Sequence, residues 1–352
     1  MPLLARMLHG PLFIDIRPGA VSGLGQLLAD RRISADGQVA VAVGPGQGEV
    51  LVEAIRPALA NADVFTVRGG SLEAAGDLQT ELRNKHYDAL VGIGGGRTLD
   101  VAKYAATRLA LPMVAVATNL AHDGIASPVS SLYHDGRKRS FGVSLPMAVV
   151  VDIDYVRSAP VRMVRSGIGD VISNLSAIED WRLAARERGE LLDGLAETFA
   201  RTSAEAMMYR QDGIDSTRFL TALAESLVLS GMAMATAGSS RPCSGSDHEI
   251  LHAIDQLFPD AGNHGELAGI GALFATFLRG DAETLAQMHA CLRRHDLPRV
   301  PGDIGLSAEQ FAEAVVLAPQ TRPDRYTILE HLDLAPAAAR ERVDAYVTAM
   351  GQ

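Results

Sequence analysis

The sequence predicts an α/β fold in two parts. A parallel-sheet domain over residues 1–160 is followed by an all-α region over residues 161–352. Three observations predict it. Short β-rich runs alternate with helix-period stretches through the first ~155 residues, the pattern of successive βαβ units. Two of those strand runs exit into glycine clusters, Gly44-Pro45-Gly46-Gln47-Gly48 and Gly94-Gly95-Gly96. Beyond Ser158-Ala159-Pro160 the strand pattern stops and only helical periodicity continues.

Val39–Val43 is a continuous apolar β-branched run, the mark of a buried parallel strand. A helical stretch from Glu49 to Ala60 follows. Asp63 to Val67 predicts the next strand and Leu72 to Asn84 the next helix. Asp88 to Ile93 is a third strand, Asp100 to Arg108 a helix, and Met113 to Ala117 a fourth strand. Ser131 to Ser144 predicts a hairpin or an extended excursion, and Ala148 to Val151 a further strand. Helical period then governs 170–188, 191–208, 217–237, 247–258, 266–279, 282–295, 307–318 and 336–350. Pro336 suits a first helical position.

Of the 352 residues 47% are apolar, which is ample for a packed core, and 21% are charged, which excludes wholesale disorder. The net charge of -10 and the shortness of the longest basic run, Arg137-Lys138-Arg139, exclude a nucleic-acid partner. Only Cys243 and Cys291 are present, so no disulfide scaffold is expected and a reducing cytoplasm is. The amino terminus lacks the pattern of a signal peptide, and no uninterrupted apolar run is long enough for a membrane span.

His248 and His264 each stand at a predicted helix start, with Ser246 and Asn263 as N-cap candidates three positions before Glu249 and Glu266. Imidazole at a helix start facing a cleft suits a metal. His252 lies four residues after His248 on the same helical face. Asp170 follows the glycine-rich Ser166-Gly167-Ile168-Gly169 stretch, read as a turn opening a long helix. Two imidazoles and one carboxylate would make a catalytic metal set; a capping Asp and structural histidines are the alternative. The Gly94-Gly95-Gly96-Arg97-Thr98-Leu99-Asp100 junction of strand and helix offers free N–H groups to a pyrophosphate, or is a plain tight turn. The loop from Thr118 to Ser127 follows the fourth strand, where open α/β sheets bind ligands, and its His122 and Asp123 could orient a substrate. Asp123-Gly124 is also an ordinary turn pair.

In chain order, Gly94-Gly95-Gly96 with Asp100 and Lys103, His122-Asp123-Gly124 with Ser127-Pro128, Ser166-Gly167 with Asp170, Ser240-Arg241-Pro242 with Asp247-His248 and His252, and His264-Gly265-Glu266 form an ordered set. That set resembles the sn-glycerol-1-phosphate dehydrogenase family, within the iron-containing alcohol dehydrogenase and dehydroquinate synthase-like superfamily. The resemblance runs from about residue 10 to about residue 345. It implies a Rossmann-like dinucleotide domain, a helical metal-binding domain of dehydroquinate synthase-like type, and a site between them. It implies Asp170, His248 and His264 as metal ligands. Gly94, Gly95, Gly96, Arg97, Thr98, Leu99, Asp100, Thr118, Asn119, Leu120, Ala121 and Ser127 are then the contacts to NAD or NADP. Asp123, Asp170 and His252 are the catalytic and substrate contacts. Zinc is the expected metal, with nickel or iron as alternatives.

The implied reaction is NAD(P)-dependent interconversion of dihydroxyacetone phosphate and sn-glycerol 1-phosphate, a step of phospholipid biosynthesis. A small, phosphorylated substrate, a cytoplasmic location and a homo-oligomer, dimer or larger, go with it. The alternatives are a related polyol or hydroxyketone dehydrogenase of specialised metabolism, a dehydroquinate synthase-like cyclase, and a non-catalytic sensor. Two departures stand out. Asp247 replaces the Glu usual before the first ligand histidine, and the first strand exit lacks its usual Lys/Arg and Thr. Arg68, after the second strand, could accept a 2'-phosphate or be a solvated surface residue, and Arg241 could hold the substrate phosphate or, beside Pro242, act as a structural clamp.

Overall fold

The computed structural model describes residues 9–59 and 62–350. Its strands are β1 (Phe13–Arg17), β2 (Val39–Val43), β3 (Asp63–Thr66), β4 (Ala89–Gly94), β5 (Met113–Ala117), β6 (Val129–His134), β7 (Arg137–Gly142) and β8 (Ala148–Asp152). Six of them make one sheet in the order β1-β8-β5-β4-β2-β3, with every pairing parallel. From β2 the chain moves outward to β3, then crosses back to β4 on the other side of β2. That reversal leaves a crevice between β2 and β4 at their carboxyl ends, the place where open α/β sheets take ligands. Both glycine loops lie there, and a Cβ at either Gly44 or Gly94 would collide with Thr98.

β6 and β7 form the expected hairpin, closed by Asp135 and Gly136 at φ 51° and 76°. Two successive positive φ values twist the turn to match its strands. β1 was not predicted. It is a five-residue edge strand whose partner, β8, comes more than 130 residues later.

The helices in the first half are α1 (Leu24–Leu28), α2 (Gln47–Ile55), α3 (Leu72–Leu82), α4 (Gly96–Leu109) and α5 (Ile153–Ser158). The second half holds α6 (Val161–Arg188), α7 (Gly194–Met208), α8 (Thr217–Ala237), α9 (Ser246–Leu257), α10 (His264–Arg279), α11 (Ala282–Arg294), α12 (Ala308–Thr321), α13 (Ile328–Leu332) and α14 (Pro336–Met350). The helix expected to end at Ala60 ends earlier, at Ile55, and Ala60 lies outside the described residues.

Two expectations about helix starts need correction. α4 begins at Gly96, four residues before Asp100. α6 begins at Val161 and passes straight through Gly167 and Gly169, so Asp170 sits inside a helix rather than opening one. The glycines are there for packing. A Cβ at Gly169 would overlap the Gly265 carbonyl oxygen on α10, and one at Gly167 the Leu120 carbonyl oxygen after β5. Glycine lowers helix propensity by about 1 kcal/mol, a cost accepted here because any Cβ at either position would meet backbone.

The sheet separates two apolar layers. Val39, Val41 and Val43 face α1 and α2 with Leu24, Leu51 and Ile55. Ala40 and Ala42 face the other side, with Leu78, Leu82 and Leu99. That second layer continues through Leu120 and Ile125 into Ile168, Leu223 and Ile250, so helices of the second half share a core with the sheet. α8 is long and apolar enough to cross a membrane, but most of its apolar stretch is buried within this core.

Candidate active site at the carboxyl edge of the sheet

Asp170, His248 and His264 converge from α6, α9 and α10. His248 Nε2 lies 3.2 Å from His264 Nε2 and 3.9 Å from Asp170 Oδ1, and His264 Nε2 lies 3.5 Å from the same oxygen. Ligands bound tetrahedrally at about 2.1 Å stand roughly 3.4 Å apart. The three edges match that spacing, and two imidazole nitrogens with one carboxylate oxygen are a donor set for a divalent cation with an open position.

Charge supports the fit. Burial pushes the Asp170 carboxyl well above the usual carboxylate range, with Asp123 and Asp247 adding repulsion. Burial likewise holds His264 well below the usual imidazole range, which is the neutral form a metal takes. A cation among them would offset the buried carboxylates.

The three candidate donors are oriented by their neighbours. His264 is the first residue of α10, where Asn263 and Glu266 make the predicted capping box. Asp170 Oδ2 accepts a 2.9 Å hydrogen bond from the Asp123 backbone N–H, which leaves Oδ1 to the site. His248 Nδ1 is bonded to the carboxylate of Asp247, so Nε2 points at the ligand position. Asp247 is itself held, accepting from the Gly245 N–H at 3.0 Å. Its orienting role was not foreseen. The predicted Ser246/Glu249 capping box is absent: Gly245 occupies the N-cap, and Glu249 turns inward to accept from Thr327. A carboxylate that holds a ligating imidazole in this way contributes about 10- to 100-fold to metal affinity. Asp247→Asn is therefore expected to fold normally and bind metal that much more weakly in a titration against a chelator.

The dinucleotide candidates cluster beside this triangle. No side chain caps α4, so the first-turn N–H groups of Gly96, Arg97 and Thr98 are available to an anion. Gly95 lies under the Asn119 amide and Gly96 under the His122 ring, and a Cβ on either would overlap them. Thr118 N donates to Gly94 O at 3.0 Å, tying the two loops together. Leu99 and Leu120 point into the core. Asp100 and Lys103 form a buried 3.0 Å ion pair, and Lys103 also reaches the Ser127 hydroxyl and the Val129 carbonyl. Ala121 completes the loop, half-buried.

Asp100, His122, Asp123, Ser127, Lys138, His248, His252, His264 and Arg322 line one cleft of about 170 Å³. His252 stands one turn from His248, with ring centroids 6.4 Å apart. Its Nε2 accepts from Arg322 Nη2 at 2.9 Å, and burial beside that guanidinium keeps the ring well below its usual range, hence neutral. Arg241 does not face the cleft chemistry. It is clamped on Glu190 and the Tyr326 carbonyl, the structural role its neighbouring proline suggested.

Comparison with known proteins agrees with this layout. Residues 15–160 match the family model described as iron-containing alcohol dehydrogenase. The glycerol-1-phosphate dehydrogenase [NAD(P)+] of Hyperthermus butylicus is 36% identical over 341 residues, covering 95% of this chain and 97% of that protein. The chain belongs to the glycerol-1-phosphate dehydrogenase family. The enzyme of the same name from Archaeoglobus fulgidus is 38% identical over 276 residues, 76% of this chain and 78% of its own. Among solved structures, glycerol dehydrogenase from Schizosaccharomyces pombe superposes with a TM-score of 0.80 at 19% identity, covering 99% of this chain and 91% of that one. At that identity the likeness speaks for the fold, which is the iron-containing alcohol dehydrogenase type.

Proposed function

We propose that the chain interconverts dihydroxyacetone phosphate and sn-glycerol 1-phosphate, using NADH or NADPH and one divalent metal. The observation that carries the reading is the Asp170–His248–His264 triangle, set beside the uncapped start of α4 in one cleft. The relatives' shared name favours it over a polyol dehydrogenase, a cyclase or a sensor. We assign the dinucleotide to residues 1–160 and the metal to residues 161–352. The pyrophosphate would rest on the backbone of Gly94 to Asp100, and the Thr118–Ala121 loop and Ser127 would flank the nicotinamide. Zinc is our preferred ion, because it accepts nitrogen and oxygen donors at four-coordinate spacing. Cys243 and Cys291, both free and buried, fit a cytoplasmic location.

When bound, the metal supplies Lewis acidity to the substrate carbonyl and the reduced nicotinamide supplies hydride. The chain's own residues do the positioning. Asp123 fixes Asp170 through its backbone N–H, and its side chain faces the same cleft. His252 accepts from Arg322 at Nε2, so its Nδ1 carries the ring proton and offers a hydrogen bond for orienting substrate. The proton taken up by the product oxygen then comes through water.

The test is dihydroxyacetone phosphate-dependent loss of NADH or NADPH absorbance by the metal-loaded protein, with the product resolved stereochemically. Turnover to sn-glycerol 1-phosphate is expected. Turnover to the 3-phosphate, or of another hydroxyketone in preference, overturns the reading.

A further inference from the structure

Arg322 and Arg325 stand in the loop between α12 and α13, and both are half-buried. Neither has a carboxylate partner among the described residues. Arg322 donates to the Ser240 hydroxyl at 3.3 Å and to His252. Arg325 donates to the same hydroxyl at 2.6 Å and to the Ser244 carbonyl. All of these acceptors are neutral. The neighbouring buried arginines differ: Arg241 pairs with Glu190, and Arg279 with Asp180. Each guanidinium carries five N–H donors, so several remain unused on both.

A buried cation without a counter-charge is costly, and such groups are paired or bind an anion. Burial, with Arg322 and Arg241 nearby, pulls Arg325 down to about 9. Neither Glu249 nor Asp247 closes an ion pair with them: Glu249 accepts from the Thr327 hydroxyl at 3.0 Å, and the Asp247 carboxylate is bonded to His248 Nδ1. Lys138 is taken up by Asp255 at 2.9 Å.

We propose that Arg322 and Arg325 are the phosphate clamp that makes this site select a phosphomonoester over the free hydroxyketone. The inference rests on the reductase reading and adds its specificity determinant. Position supports it. Arg322 lines the metal cleft, and Arg325 lines the cavity that adjoins it past His252. The two guanidinia therefore lie past the His252 imidazole from the Asp170–His248–His264 set. Both guanidinia reach the Ser240 hydroxyl, so two planar forks stand together for one dianion, a bidentate chemistry lysine does not offer. A substrate without phosphate would leave both charges unpaired.

The test compares the metal-loaded wild type with Arg322→Ala, Arg325→Ala and Arg322→Lys. Preference is read as the ratio of kcat/KM for dihydroxyacetone phosphate to that for dihydroxyacetone. Losing one member of a buried charge contact typically costs about 100-fold, so each alanine variant should lose about that much preference, mostly in KM. The lysine variant keeps a charge and should retain part of it. In parallel, calorimetry measures binding of inorganic phosphate, which should be lost in both alanine variants. Folded, metal-loaded alanine variants with wild-type preference overturn the clamp and leave the reductase reading intact. If the wild type fails to turn over dihydroxyacetone phosphate, the reductase reading falls instead. The clamp is then supported by phosphate binding that the alanine variants lose, and overturned by binding they keep.

Discussion

Asp170→Ala and His264→Ala are each expected to purify folded, with metal content at background and turnover reduced by three orders of magnitude or more. Three protein donors are the minimum for a catalytic ion of this type, and each variant leaves two. Lewis-acid stabilisation of a developing alkoxide supplies several kcal/mol, about tenfold in rate per 1.4 kcal/mol. The fold should persist for a specific reason. Asp170 is buried near Asp123 and Asp247 and is itself destabilised without a cation, so its removal relieves repulsion in the metal-free protein. A metal that binds only the native state raises the melting temperature. Added zinc should therefore raise it in the wild type and leave it unmoved in both variants. Full metal content with wild-type turnover in either variant would show that the triangle is not the site.

Gly265→Ala has the largest expected effect on stability. α6 and α10 cross with backbone touching backbone: Gly265 lies against the Ser166 carbonyl oxygen, and Gly169 against the Gly265 carbonyl oxygen. The Gly265 N–H donates to the Ser166 hydroxyl at 3.0 Å. A methyl group at Gly265 has no flexible side chain to displace, so the helices must separate. Overpacking of this kind costs about 1–3 kcal/mol, or more where backbone is involved. The site registers the separation directly, because Asp170 rides on α6 and His264 on α10. A displacement of about 1 Å at reacting groups costs on the order of 100-fold in rate. Urea unfolding should show the lost stability, and a chelator titration the weakened metal. Wild-type values in both would mean that the crossing does not set the ligand geometry.

These three substitutions fall where local reading succeeded and where it stopped. The βα alternation was legible because each buried strand carries its own signature: Val39–Val43 and Met113–Ala117 are apolar throughout, as strands covered on both faces must be. The capping box Asn263/Glu266 was legible because a cap is a contact over three residues. The Ser246/Glu249 pair has the same spacing but fails, because Thr327, nearly eighty residues on, competes for the carboxylate. Gly167 and Gly169 suggested a turn before Asp170; only the opposing α10 backbone explains why they belong in a helix.

The sequence alone determined the order of the buried strands and of the long helices, both glycine loops and the residue types of the metal set, but not β1 or the short helices α1, α5 and α13. Periodicity, capping and turn chemistry act within a few residues, so a linear reading captures them. The tertiary structure alone decided that Asp170 meets two histidines from other helices, that Asp247 aims His248, and that Arg322 reaches His252 from seventy residues away. The physical reason is one of range. Ligand geometry and uncompensated charge depend on which elements pack together, and that is settled by burial across the whole core.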